Sequence, residues 1–125
     1  MEKIFYTWST IEDAIEVLAS KIKNNSYKYI TGIPRGGVVP AVMLSHKTGI
    51  PFISVETASV LTSEGIENIL VVDDICDTGK TLTRYKKLGF PIATIDLKKS
   101  AVFTPNYYAY IIPMDHYIVY PWEND

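Results

Sequence analysis

The sequence predicts an α/β domain built on a mainly parallel sheet flanked by helices. Three observations carry this. Short, almost wholly apolar segments stand at Tyr29–Ile33, Ile69–Val72 and Pro91–Leu97. Segments of helical period alternate with them, and the loops after the first two are rich in glycine or carboxylate. Strands without polar alternation are buried on both faces, as in parallel sheets covered by crossover helices. Such sheets bind ligands beyond the carboxyl ends of their strands, where both loops fall.

Taken in order, Ser9-Thr-Ile-Glu12 reads as a capping box. Ile11, Ala14, Ile15, Leu18, Ala19 and Ile22 then recur at helical spacing, giving an amphipathic first helix that ends near Asn24-Asn25. Tyr29–Ile33 is a short strand, followed by Pro34-Arg-Gly-Gly37. Val38–His46 reads as a buried helix stopped by Thr48-Gly49, and Pro51 precedes a strand from Phe52 to Val55. Ile69–Val72 is a buried strand, and Thr81–Leu88 the helix after it. Pro91–Leu97, Tyr107–Ile111 and Tyr117–Val119 complete the strands. No repeat, low-complexity tract or linker interrupts the pattern, and 125 residues suit one domain, 1–125, with a core of its own.

Composition narrows the function. A net charge of −2 gives no general attraction to nucleic acid or an anionic membrane, so any phosphate binding must be local. The single cysteine, Cys76, excludes an intramolecular disulfide and fits a reducing compartment. No apolar run approaches the roughly 20 residues a membrane span needs. The first residues lack a signal-peptide pattern, so the expected location is the cytoplasm. His46 and His116 have no second ligand at metal spacing.

The most informative stretch is Ile69-Leu-Val-Val-Asp-Asp-Ile-Cys-Asp-Thr-Gly-Lys-Thr81. A buried strand delivers adjacent carboxylates to its carboxyl edge, and a tight turn then opens a helix. Carboxylates placed there suit sugar hydroxyls or a metal-bound ligand, and the following amides and hydroxyls suit a phosphate. Helix capping explains one Asp but not three within five residues. Gly79-Lys80-Thr81 resembles the end of a nucleoside-triphosphate P-loop, but the opening glycine of that pattern falls on Asp74, whose charge would repel the phosphates. In Pro34-Arg-Gly-Gly37, two glycines allow close backbone approach and an amide nest for an anion, and Arg35 adds a bidentate partner. Alone that segment is equally a plain turn; its weight comes from lying one strand–helix unit ahead of the acidic block.

That acidic block resembles the phosphoribosyl-pyrophosphate (PRPP) signature of the type I phosphoribosyltransferases. Met1–Leu61 and Ile69–Glu123 further resemble the bacterial xanthine-guanine phosphoribosyltransferases, through Thr7-Trp8, Arg-Gly-Gly-Val-Val-Pro40, the signature and Tyr-Ile-Val-Tyr-Pro-Trp122. The resemblance implies the type I phosphoribosyltransferase fold with a small C-terminal hood at approximately 98–125. It makes Asp73 and Asp74 the ribose-binding acids, and Asp77, Thr78, Gly79, Lys80 and Thr81 the 5′-phosphate loop. Lys80 stands where the family often has a small residue. Arg35, Gly36 and Gly37 become the pyrophosphate loop, which in the family often carries a non-proline cis peptide; Pro34–Arg35 is the candidate bond. Asp77 is the implied catalytic carboxylate near purine N7. Ungapped spacing from the Pro-Trp end places the base-recognising lysine at Lys98, with Lys99 beside it. The base-stacking aromatic falls on Tyr117, and the residue touching the base through backbone and side chain on Ile118. Mg²⁺ is the implied cofactor, reaching Asp73 and Asp74 indirectly through the PRPP ribose. PRPP and a purine base are the implied ligands, and a dimer or tetramer the implied assembly. The activity implied is purine salvage: transfer of a 5-phosphoribosyl group from PRPP to a 6-oxopurine (guanine, xanthine or hypoxanthine).

One departure stands out. Family members carry a long basic lid with a Ser-Tyr pair between the strands at Phe52 and Ile69. Here residues 53–68 are short for that role and contain Glu56, Glu64 and Glu67 but no Lys, Arg or Tyr. Lids exclude water, so this departure leaves a second expectation, a non-catalytic PRPP or nucleotide sensor of the same fold.

Overall fold

A computed structural model describes residues 1–124. Its elements run β1 (Glu2–Phe5), α1 (Trp8–Ile22), β2 (Tyr29–Gly32), α2 (Val38–Thr48), α3 (Val55–Ser63), β3 (Ile69–Cys76), α4 (Lys80–Lys87), β4 (Ile92–Lys98), β5 (Tyr107–Ile112) and β6 (His116–Val119). Four strands form one sheet in the order β2-β3-β4-β5, every pair parallel. The expected architecture is therefore present.

The sheet separates two apolar clusters. Leu70, Val72, Ala93 and Ile95 turn to one face and pack with Ile11, Ala14, Leu18 and Ile22 of α1 and Ala41 and Leu44 of α2. Val71, Ile92, Cys76 and Leu97 turn to the other, where Leu82 of α4 covers them. Truncating a fully buried residue such as Leu44 or Ile95 to Ala costs about 2–5 kcal/mol.

Several boundaries depart from the expectation, each for a physical reason. α1 is capped by Thr7, not Ser9: extended backbone from β1 leaves Thr7 at φ −93°, ψ 165°, and its hydroxyl accepts the Thr10 amide at 3.2 Å. Phe52 makes only an isolated parallel bridge to Ile30 rather than opening a strand to Val55. The chain turns helical there because Ser54 caps α3, accepting the Thr57 amide at 3.1 Å. Residues 55–63 are thus a helix packed beside β2, in the stretch where the sequence resemblance implies a lid. β3 continues past Val72 to Cys76, since pairing with β4 holds the backbone extended whether or not the side chains are apolar.

The small second sheet is unlike the hood expected from residues 98–125. Its two strands are β1 and β6, parallel, with Ile4 opposite Ile118. Residues 107–112 belong to the main sheet instead. The amino terminus supplies half of the hood, through a strand too short to show a period in sequence. Ile118, Tyr120, Ile4, Tyr6 and Trp122 join the main core, so the hood is fused to it.

Candidate functional site

The carboxyl ends of β2 and β3 meet through glycine. A Cβ on Gly37 would overlap the Val72 carbonyl oxygen and fall 2.9 Å from Asp73 Cα. A Cβ on Gly36 would overlap the Asp74 carboxylate. The Pro34–Gly37 turn therefore lies directly on the acidic pair, an approach no larger residue permits. The Pro34–Arg35 peptide is cis, at the bond the family resemblance implied. Arg35 is exposed at this turn.

Asp73 and Asp74 are held by their own backbone. The Asp74 amide donates to Asp73 Oδ1 at 2.9 Å, and the Ile75 amide to Asp74 Oδ1 at 2.8 Å. Burial raises Asp73 well above the usual carboxylate range, and the Asp74 charge raises it further. Burial likewise raises Asp74; the Asp73 and Ile75 hydrogen bonds oppose that, and the Glu123 charge adds to it. Two adjacent acids kept from water without matching cationic support favour a ligand that brings donors or a cation.

Beyond them the chain turns at Gly79, in a left-handed conformation (φ 92°) that favours glycine, and α4 begins at Lys80. Residues 102–103 back this turn: the Val102 amide donates to the Thr78 carbonyl at 3.1 Å, and a Cβ on Gly79 would lie 2.8 Å from Val102 Cγ2. The Lys80 amide donates to Thr78 Oγ1 at 3.2 Å. A cleft of about 240 Å³ is lined by Asp73, Asp74, Asp77 and residues 78–82. Amides at a helix amino terminus suit an anion there. A larger cleft of about 400 Å³ lies at the opposite edge of the sheet, between Thr62–Ile69 and Leu88–Pro91, but gathers only one ionisable side chain, Glu67.

Lys98, at the end of β4, is 6% exposed, and its Nζ lies 3.6 Å from Asp77 Oδ1. A lysine so buried is not a solvated strand end. Tyr117 is 43% exposed on β6, whereas the Ile118 side chain packs in the main core, leaving only its backbone for a ligand. Neither lines the acidic cleft. Burial pushes the Cys76 thiol up to about 11, helped by the charges of Asp73 and Asp77, so it is not a nucleophile at neutral pH.

Sequence reasoning missed Asp96. It lies fully buried in β4, one strand from the acidic pair, and accepts hydroxyl hydrogen bonds from Tyr6 (2.6 Å) and Tyr120 (2.7 Å). The available signal was a lone charged residue inside an otherwise uncharged, largely apolar strand, Ile92-Ala-Thr-Ile-Asp-Leu97.

By fold and by site this is an α/β domain whose parallel sheet presents a carboxylate cleft and a glycine turn at its strand ends. No family model matches the chain. Among solved structures it is similar to a purine phosphoribosyltransferase from Pyrococcus horikoshii Ot3, at 32% identity and a TM-score of 0.79, covering 100% of this chain and 97% of that one. A Helicobacter pylori xanthine-guanine-hypoxanthine phosphoribosyltransferase matches at 21% identity and TM-score 0.79, covering 98% and 94% of the two chains. A hypothetical protein from Neisseria gonorrhoeae with bound ppGpp matches at 24% and 0.79, covering 98% and 90%. The last two show the fold; the first shows the family. The chain belongs to the type I phosphoribosyltransferases.

Proposed function

We propose that this protein transfers a 5-phosphoribosyl group from PRPP to a 6-oxopurine, releasing pyrophosphate. The supporting observation is the convergence at one sheet edge of the Asp73–Asp74 pair, the Gly36–Gly37 turn laid upon it, and Lys98 paired with Asp77. The similarity to the Pyrococcus purine enzyme supports the base class in its coarser form.

In this reading Asp73 and Asp74 accept the ribose 2′ and 3′ hydroxyls. Thr78, Gly79, Lys80 and Thr81 hold the 5′-phosphate at the start of α4. Arg35 and the amides of Gly36 and Gly37 hold the pyrophosphate. Lys98 donates to purine O6, where adenine would present a competing donor, and Tyr117 stacks on the base. Purine N9 attacks the anomeric carbon as its bond to pyrophosphate breaks, and Asp77 accepts the proton from N7. Positive charge develops on the ribose in the transition state, next to the two carboxylates.

Among the described residues, no group of three or more His, Cys, Asp or Glu side chains is placed to hold a metal. A Mg²⁺ ion would take its oxygen shell from substrate and water, and the carboxylates of Asp73 and Asp74 would hold it indirectly, through the ribose hydroxyls they accept. When bound, it would supply charge neutralisation on the pyrophosphate.

The test is nucleotide formation from PRPP, Mg²⁺ and each of guanine, xanthine, hypoxanthine and adenine. Product is expected with 6-oxopurines and not with adenine, and Asp77→Asn should lower the rate about 10²–10⁴-fold. One observation favours the second reading, a sensor without turnover: residues 55–63 form a short helix, α3, where the resemblance implies a basic lid. Tight PRPP binding with no product from any base would select it.

A further inference from the structure

Asp96 has no part in the mechanism above, yet it sits where the two sheets join. Along β3 and β4 the pairing passes from Asp73↔Thr94 directly to Ile75↔Asp96, so Asp96 stands opposite the residue after the acidic pair. Its carboxylate is gripped at both oxygens: Tyr6 Oη donates to Oδ1 at 2.6 Å, and Tyr120 Oη lies 2.7 Å from Oδ2. Tyr6 directly follows β1 and Tyr120 directly follows β6, so this one carboxylate holds both strands of the hood. Tyr120 Oη also lies 3.2 Å from the Asp74 carbonyl oxygen. The rings of Tyr6 and Tyr120 meet edge to face at 5.6 Å, and Tyr120 stacks on Trp122 at 5.1 Å.

A carboxylate is a costly way to fill a core position, since apolar residues of similar volume often serve stability as well or better. What it adds is direction: two fixed acceptors aim two hydroxyls and thereby set the placement of their strands. We propose that Asp96 is a positioning residue that, through Tyr6 and Tyr120, fixes the base-stacking hood bearing Tyr117 relative to the ribose-binding edge at Asp74. The inference rests on the transferase reading for what the hood and edge bind.

Calorimetric titration with guanosine monophosphate and, separately, with ribose 5-phosphate tests it. The first ligand spans hood and acidic edge; the second touches the edge alone. Tyr6→Phe and Tyr120→Phe, which each remove a single oxygen, and Asp96→Val should weaken guanosine monophosphate roughly tenfold and ribose 5-phosphate less than about twofold. Asp96→Asn keeps an acceptor for one tyrosine and a donor for the other, and should stay within about threefold of wild type. In steady state, the KM for the base should rise roughly tenfold in the Phe variants while that for PRPP holds. If Asp96→Val fails to fold, the two Phe variants decide. Equal weakening of both ligands, or unchanged guanosine monophosphate affinity in a folded Phe variant, overturns the proposal. A wild type that forms no nucleotide refutes turnover alone, because the contrast between the two ligands does not depend on catalysis. A wild type that binds ribose 5-phosphate but no guanosine monophosphate overturns both.

Discussion

Asp96 and the Asp73–Asp74 pair are buried acids on adjacent strands, with Ile75 paired to Asp96 across the ladder, yet their surroundings differ. Asp96 is sealed from solvent and receives two tyrosine hydroxyls. Burial still raises it to about 6, because the hydroxyl bonds that favour its charged form do not fully offset desolvation. Asp73 and Asp74 accept the backbone amides of Asp74 and Ile75, receive no tyrosine hydroxyl, and line an open cleft, where the Asp74 charge raises Asp73. One carboxylate site is complete within the protein. The other keeps acceptor capacity open to the cleft. On the proposed function, the contrast separates an acid that positions the hood from acids left open to a ligand.

Substitution at the pair should sharpen this contrast most. Asp74→Asn is expected to lower nucleotide formation about 10²-fold, through loss of ribose placement. Asp73→Asn should do the same while raising stability at pH 7. Asp73 holds its proton in the folded state to a higher pH than when unfolded, so its stabilising effect is complete at acid pH and fades as pH rises through its raised folded value. Removing that ionisation should raise Tm at pH 7 by about 3–6 °C, measured by calorimetry. A lowered Tm would mean that the pair is satisfied after all.

Asp96 should respond in the opposite way. Asp96→Val leaves the half-buried Tyr6 hydroxyl without its acceptor and Tyr120 with only the Asp74 carbonyl, and should cost about 1–3 kcal/mol in denaturant unfolding at pH 7. Its ionisation also has a pH signature of known sign. With a folded value near 6 against 3.8, the native state binds the extra proton between those values, so stability falls as pH rises through that window. Asp96→Asn should flatten the profile there by up to about 3 kcal/mol, with the groups facing it, Tyr6, Tyr120 and Asp74, left in place.

Gly37→Ala drives a Cβ into the β3 backbone and should destabilise by about 1–3 kcal/mol. At Gly36 the obstacle is the Asp74 side chain, so Gly36→Ala should reduce activity more than stability. The smallest effect concerns Cys76. Buried, with its thiol pushed up to about 11, it should react with a disulfide reagent at pH 8 only as fast as the domain opens. Rapid native labelling would show that the loop beside Asp77 opens on its own.

Much of the fold was legible because its signals are local. The helical period of Ile11, Ala14, Ile15, Leu18 and Ile22 needs only neighbouring residues to be read, and those side chains are buried. The runs at Ile69–Val72 and Pro91–Leu97 marked parallel strands for the same reason. The acidic pair and the Gly36–Gly37 turn were legible as chemistry, since carboxylates and paired glycines at strand ends have few structural uses. Residues 52–55 misled because β-branched and aromatic residues resemble a strand, while the Ser54 cap, a single side-chain hydrogen bond, chose helix.

What the sequence determined by itself, then, was the parallel α/β class, most of its helices and strands, and the acidic and glycine-rich loops at the strand ends. Tertiary structure alone decided that the two ends of the chain pair as β1 and β6, and that Lys98 is buried against Asp77. It alone brought Tyr6 and Tyr120, far apart in the chain, to the one carboxylate of Asp96. The reason is range. Period and turn chemistry are written within a few residues, whereas pairing between distant segments depends on which surfaces the rest of the core leaves to be covered.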